Sequence, residues 1–263
     1  MKISVCGKGG SGKSTVVALL AAEMRRRGYK VLVVDSDESN PGLYRILGFH
    51  TRPVALTELV GGKKNVFQAI SGKSEQETIL KQEKIAISDI LPEYIVKMDG
   101  IGLVCIGKIL ESLEGCACPM GALSREFLKR LYLEEGEIAI IDMEAGIEHF
   151  GRGVETSVDS VIIVVEPSYD SIELAGKINE LATEVGIHNT SAILNKVNSE
   201  EMGLRLRDEL SRRKVDVIGL NHYHPEIFQA SLEGVPIHGR EVEEEAGKIV
   251  DSLLKKKDLL EGV

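Results

Sequence analysis

The chain predicts an α/β fold, a doubly wound and mostly parallel sheet, on three observations. Apolar runs of strand length alternate with stretches of helical length along most of the 263 residues. The strand runs are rich in Val and Ile with little polar alternation, as expected of strands covered on both faces. The first run ends in a glycine-rich turn, Gly7-Lys8-Gly9-Gly10-Ser11-Gly12-Lys13-Ser14-Thr15, from which a helix departs.

In chain order, residues 3–6 are a short apolar strand and 16–24 a helix apolar nearly all round, ending near Arg27-Gly28. Residues 31–34 form a β-branched strand that delivers Asp35-Ser36-Asp37, followed by a polar turn and a short helix at 43–47. Residues 61–98 are rich in Lys, Glu and Gln and read as a surface excursion of one domain covering 1–263. Further strands are expected at 101–107, 138–141, 161–165, 191–194 and 215–220. Helices are expected near 122–133 and at 171–184, 200–213 and 241–256.

Composition narrows the function classes. A chain 43% hydrophobic and 28% charged has material for a large core, and its net charge of −9 advertises no basic face for nucleic acid or anionic membrane. Trp is absent and aromatics are 4%, which argues against base-stacking platforms. Met1-Lys2 runs straight into a strand and no stretch of 18 apolar residues occurs, so a cytoplasmic location is expected. Four cysteines in such a chain point to buried, metal-binding or redox thiols in preference to disulfides.

The turn at 7–15 fits G-x-x-x-x-G-K-[ST], the P-loop pattern, and the fold it predicts is that of P-loop nucleotide triphosphatases. Glycines let backbone N–H groups curl inward, and the helix end adds partial positive charge, so fixed dipoles bind a triphosphate. Lys13 is then the contact to the β and γ phosphates and Ser14 a magnesium ligand. Gly7, Lys8, Gly9, Gly10, Ser11, Gly12 and Thr15 complete the cradle. Asp35, Asp37 and Asp142 stand at or just past strand ends, where ligands bind in open parallel sheets. Three carboxylates repel a triphosphate unless Mg²⁺ lies between them, bound directly or through water.

Lys8 is either a solvated surface lysine or something more specific. The string Lys-Gly-Gly-x-Gly-Lys-Ser-Thr resembles the deviant P-loop of the MinD, ParA and nitrogenase-iron-protein ATPases. The resemblance implies that Lys8 reaches across an ATP-bound homodimer to the partner's phosphates. It also makes Asp35-x-Asp37 the first switch, with Asp37 positioning the attacking water and Asp35 on the magnesium side, and Asp142-x-x-x-Gly146 the second, with Asp142 on the magnesium side too and the Gly146 amide sensing the γ-phosphate. Asn195-Lys196 resembles the adenine-reading position, although a strand-end turn asparagine is an equally good account. The segment Asn221-His222-Tyr223-His224-Pro225, including Tyr223, resembles the other adenine-flanking loop. Its two histidines suggest a metal pair, but a surface turn ended by proline is the commoner explanation. No Asn-Lys-x-Asp guanine reader is present, in keeping with ATP.

Cys6 and Cys105 lie inside apolar strands and read as core residues. Cys116 and Cys118 stand in a Gly115-Cys-Ala-Cys-Pro119 loop. At i and i+2 of an extended segment both sulfurs face one side, and two such chains in a C2 dimer complete a four-thiolate site for Zn²⁺ or Ni²⁺. A strained disulfide and an inert pair are the alternatives. The segment 115–122, with Asp142-Met-Glu-Ala-Gly-Ile-Glu-His149 and Lys8, resembles the CooC-type nickel-maturation ATPases of carbon monoxide dehydrogenase. That resemblance implies an ATP-dependent homodimer serving an apo carbon monoxide dehydrogenase or acetyl-CoA synthase. Rival readings are an iron-sulfur electron-transfer ATPase, against which no cysteine follows Asp142, and a MinD- or ParA-like positioning ATPase. For the latter, Ile249, Val250, Leu253 and Leu254 with Lys255 to Lys257 could form a membrane-surface helix, but docking on the sheet is expected.

Overall fold

The computed structural model describes residues 1–71, 79–108, 118–151 and 153–261. Eight strands form one sheet: β1 (Lys2–Gly7), β2 (Lys30–Asp35), β3 (Val96–Met98), β4 (Ile101–Cys105), β5 (Glu137–Asp142), β6 (Ser160–Val165), β7 (Thr190–Val197) and β8 (Val217–His222). Their order is β3, β4, β2, β5, β1, β6, β7, β8, and every neighbouring pair is parallel except β3 with β4. The helices are α1 (Lys13–Arg26), α2 (Leu43–Ile46), α3 (Val66–Ile70), α4 (Cys118–Arg130), α5 (Glu148–Gly151), α6 (Tyr169–Glu184), α7 (Glu200–Arg212), α8 (Pro225–Glu233) and α9 (Arg240–Glu261).

The period of two along each strand divides the interior into two cores. Val31, Val33, Ile138, Ile140, Ile162 and Val164 face α1 and α9, meeting Val16, Val17, Leu20 and, from α9, Ile249, Val250 and Leu253. Leu32, Val34, Ala139, Ile141, Val161 and Ile163 face the other way, toward Leu123 and Phe127 of α4 and Ala175 and Ile178 of α6. Strands buried on both sides need no polar face, which explains their continuous hydrophobicity. The chain turns from β1 toward β2 on one side, and from β5 across β1 to β6 on the other. The carboxyl end of β1 is therefore the switch point at which such sheets bind ligands.

The predicted elements are present with shifted ends, and four differences bear on function. The stretch 61–98, expected as a surface excursion, supplies Val66, Ile79, Leu80, Ile85, Ile90, Tyr94 and Ile95 to the larger core and ends in the antiparallel edge strand β3. α4 starts at Cys118, four residues before the expected helix, so Cys118 is helical and not part of an extended segment. β7 runs on through Asn195 and Lys196, which sit in a register shift between Leu194 and Val197, with Lys196 at φ 61°. β8 likewise runs on to His222, and His224 precedes the unpredicted α8, whose first residue is Pro225. Proline tolerates the first helical position because that N–H has no intrahelical partner.

Candidate nucleotide site at the carboxyl end of β1

The loop between β1 and α1 is held in the shape the glycines permit. Gly12, at φ 96°, caps α1, and a Cβ there would meet the Asn195 amide nitrogen at 2.2 Å. Gly7, at φ 143°, has the Val164 carbonyl oxygen 2.5 Å from where a Cβ would stand. Both approaches exclude any larger residue. Asn195 is buried and donates from Nδ2 to the Ser11 carbonyl at 2.7 Å, while Lys196 Nζ donates to the Gly10 carbonyl. The expected adenine reader thus engages an amide donor with the loop's own backbone, and a neighbouring lysine that sequence reasoning left without a role does the same. Lys13 opens α1 and is buried.

On the β2 and β5 side the site is acidic. Asp35 and Asp142 are register partners at the ends of adjacent strands, and both are buried. Ser14 Oγ donates to Asp142 Oδ2 at 2.6 Å and accepts from Asn40 Nδ2 at 2.6 Å. Asp142 Oδ1 is buried with no hydrogen-bond partner among the described residues. Burial, then the Asp35 charge, pushes the Asp142 carboxyl up to about 7 against the Ser14 hydrogen bond. Burial also raises Asp35, to about 6, although the buried Lys108 ammonium lies 2.7 Å from it and opposes the shift. Lys108 donates as well to the Asp37 carbonyl. The Asp37 carboxylate accepts from the Ser39 amide at 2.9 Å and hydroxyl at 2.6 Å, so in this state it is turned to its own loop. An orphaned carboxylate oxygen beside a serine hydroxyl and a second carboxylate is a donor set suited to Mg²⁺, and Ser14, Asp142 and Asp35 would hold it. Bound there, the ion would neutralise carboxylate and phosphate charge together.

On the β6 and β7 side two lysines face two carboxylates. Lys8 Nζ and Lys196 Nζ each lie 3.3 Å from an oxygen of Glu166, at the end of β6, with Asp170 a further 4.0 Å contact of Lys8. Burial alone would raise the Glu166 carboxyl, but the hydrogen bonds and charges of Lys196 and Lys8 outweigh it and hold it below the usual range. Glu166 was missed in sequence because a Glu-Pro-Ser turn after a strand carries no motif. Its position became visible only when β6 was placed beside β1. The Gly146 amide, the expected γ-phosphate sensor, donates to the Gly7 carbonyl at 3.2 Å.

The remaining predicted residues divide. Cys6 and Cys105 are buried, and burial pushes the Cys105 thiol up to about 12, consistent with an inert core position. Cys118 is exposed at the start of α4, and Cys116 lies outside the described residues. Tyr223 is exposed, its amide bonded to the Val197 carbonyl at 2.9 Å. His222 and His224 do not form the surface turn expected of them, since His224 is buried and both rings meet Glu245 of α9. Among the described residues no helix is long and apolar enough to cross a membrane.

The sequence and the fold are similar to known proteins throughout. The CobQ/CobB/MinD/ParA nucleotide-binding domain family model matches residues 3–237. An uncharacterised ATP-binding protein of Methanocaldococcus jannaschii is 45% identical over 235 residues, 89% of this chain and 92% of that one. The carbon monoxide dehydrogenase accessory protein CooC of Rhodospirillum rubrum is 35% identical over 199 residues, 76% of this chain and 75% of that one. Among solved structures, MinD of Pyrococcus horikoshii with Mg-ADP superposes with a TM-score of 0.69 at 18% identity, covering 98% of this chain and 97% of that one. With a P-loop at the switch point, a second lysine inside it and carboxylates at the ends of β2 and β5, the chain belongs to the CobQ/CobB/MinD/ParA family of P-loop nucleotide-binding proteins.

Proposed function

We propose that this protein is a magnesium-dependent ATPase whose ATP-bound homodimer carries Zn²⁺ or Ni²⁺ between Cys116 and Cys118 of both subunits and promotes nickel insertion into a carbon monoxide dehydrogenase or acetyl-CoA synthase. The observation that carries it is the Cys-x-Cys pair, with Cys118 exposed at the head of α4, in a chain so similar to a carbon monoxide dehydrogenase accessory protein. In this reading the P-loop amides and Lys13 bind the triphosphate, and Asp37 leaves Ser39 to orient the attacking water. Lys8 leaves Glu166 to neutralise phosphate charge on the partner. The membrane-positioning alternative loses its support from α9, because Ile249, Val250 and Leu253 are buried against α1 and the sheet.

Ligand counting supplies the test. Two thiolates per chain predict one shared ion per two chains and metal-promoted dimerisation, since the dimer alone offers four sulfurs. Replacing Cys116 and Cys118 together by Ser should abolish metal-promoted dimerisation while ATP still binds. Sedimentation of the reduced protein with Zn²⁺ or Ni²⁺ checks this, and a double variant that dimerises on metal as the parent does overturns the shared site.

A further inference from the structure

Three elements far from the P-loop pattern converge on one point: the end of β8 with His222, the residue before α8, His224, and the second turn of α9, Glu245. His222 Nδ1 is 2.5 Å from Glu245 Oε1 and His224 Nε2 is 3.0 Å from Glu245 Oε2, and one ligand atom of each residue lies within 4.8 Å of the others. The outer ring nitrogens also face carboxylates. His222 Nε2 is 3.6 Å from Glu200 Oε1 and His224 Nδ1 is 3.8 Å from Glu226 Oε1. Metal-binding imidazoles have this arrangement, one nitrogen on the ion and the other toward an outer carboxylate that fixes the tautomer. Hydrogen bonding alone requires less, because a single histidine would tie Glu245 to the end of β8. Here two rings and the His222 amide, 3.0 Å from Oε2, are gathered on one carboxylate.

We infer that His222, His224 and Glu245 bind a divalent transition cation of the zinc class, one per chain, at a site independent of the cysteines. Two imidazoles and a carboxylate match the nitrogen and oxygen preference of such ions, and three protein ligands leave a fourth position open to water or an exchangeable group. The ion takes the two ring nitrogens that now meet Glu245, and each ring keeps one proton on its other nitrogen, toward Glu200 or Glu226. Ligands of a tetrahedral ion stand about 3.3 Å apart, so the carboxylate and rings need to move by only about 1 Å. Three carboxylates around two imidazole rings make the pocket attractive to a cation and hostile to an anion. Binding would fasten α9 to the end of β8, next to the β7 bulge whose Asn195 and Lys196 hold the P-loop.

The test uses the full chain with Cys116 and Cys118 both replaced by Ser, loaded with Co²⁺ as the probe. That variant should retain one ion per chain with visible bands of nitrogen and oxygen ligation and no thiolate charge-transfer band. Adding His222→Gln and His224→Gln, which leave amide donors for Glu245, should remove the ion without changing the thermal melt of the metal-free protein. An ion-free Cys→Ser variant under excess Co²⁺, or nitrogen-ligation bands that survive both histidine changes, overturns the assignment. If the histidine variants do not fold, X-ray absorption on the loaded Cys→Ser protein decides it, because fewer than two imidazoles around the metal overturns the site. Failure of the thiol site would instead appear as lost metal-promoted dimerisation in the parent chain, a separate readout.

Discussion

The two flanks of the P-loop differ in how their charges are balanced. On the β2 and β5 side, Asp35, Asp37 and Asp142 crowd together with Lys108 as the paired cation, and two of the carboxyls rise far above their ordinary range. On the β6 and β7 side, Lys8 and Lys196 share Glu166, and the carboxyl there falls. One flank carries three carboxyls against the Lys108 ammonium, whereas on the other two ammonium groups face two carboxylates, Glu166 and Asp170. A magnesium-bound triphosphate answers both only in one orientation, its metal toward the first flank and its phosphates toward the lysines. The charge pattern therefore orients the nucleotide as well as attracting it.

The sharpest way to break this comparison is Lys13→Ala, which removes the buried cation between the flanks. A charge-assisted contact of about 3 kcal/mol is lost, so ATP affinity should drop by more than ~100-fold by calorimetry. Retained affinity would mean that the amides alone hold the phosphates. On the acidic flank, Asp37→Ala should keep ATP binding yet lower turnover by ~100-fold or more and accumulate the ATP-bound dimer. Ordinary steady-state hydrolysis would remove Asp37 from the water-positioning role.

Asp142 tests the electrostatic strain directly. Its pKa of about 7 and that of Asp35, about 6, lie above the 3.8 of a free carboxyl, so between those values the native chain binds more protons than the unfolded one. Stability of the nucleotide-free, magnesium-free protein should therefore fall as pH rises through that window. At about 1.4 kcal/mol per pKa unit, Asp142→Asn should raise stability above pH 7 by a few kcal/mol while weakening magnesium-dependent ATP binding. A melting temperature insensitive to the substitution would show that the carboxylate is not strained.

On the β6 and β7 side the effects divide, and the smallest of all is expected of Glu166→Gln. Lys8→Ala should spare ADP affinity but abolish ATP-induced dimerisation, whereas Glu166→Gln, which only loosens the hold on Lys8, should strengthen that dimer. A part-exposed ion pair is worth about 1 kcal/mol, so the gain is roughly fivefold by sedimentation. An unchanged dimer constant in Glu166→Gln would mean that Lys8 is not held back by this contact.

How much of this was legible in the chain differs by residue. The P-loop, its flanking strand and helix, and the carboxylates at strand ends follow from local rules, because glycine φ freedom, strand hydrophobicity and the position of a strand's end are properties of contiguous residues. Asn195 and Lys196 were found by resemblance, but their hold on the loop was not, since a bulge that turns two adjacent side chains to one site breaks the period of two on which strand reading depends.

By itself, the sequence determined the parallel α/β sheet, through alternation along most of the chain, and the phosphate cradle and the cysteine pair, each written within a dozen or so neighbouring residues. Tertiary structure alone decided which charges meet: Asp35 with Lys108 across 73 positions, Lys8 with Glu166 across 158, and His222 and His224 with Glu245 across 23 and 21. Pairings of that kind depend on strand order and on how helices dock. Neither has a local signature, because the energy selecting them comes from burying whole faces of the sheet and not from the residues that end up in contact.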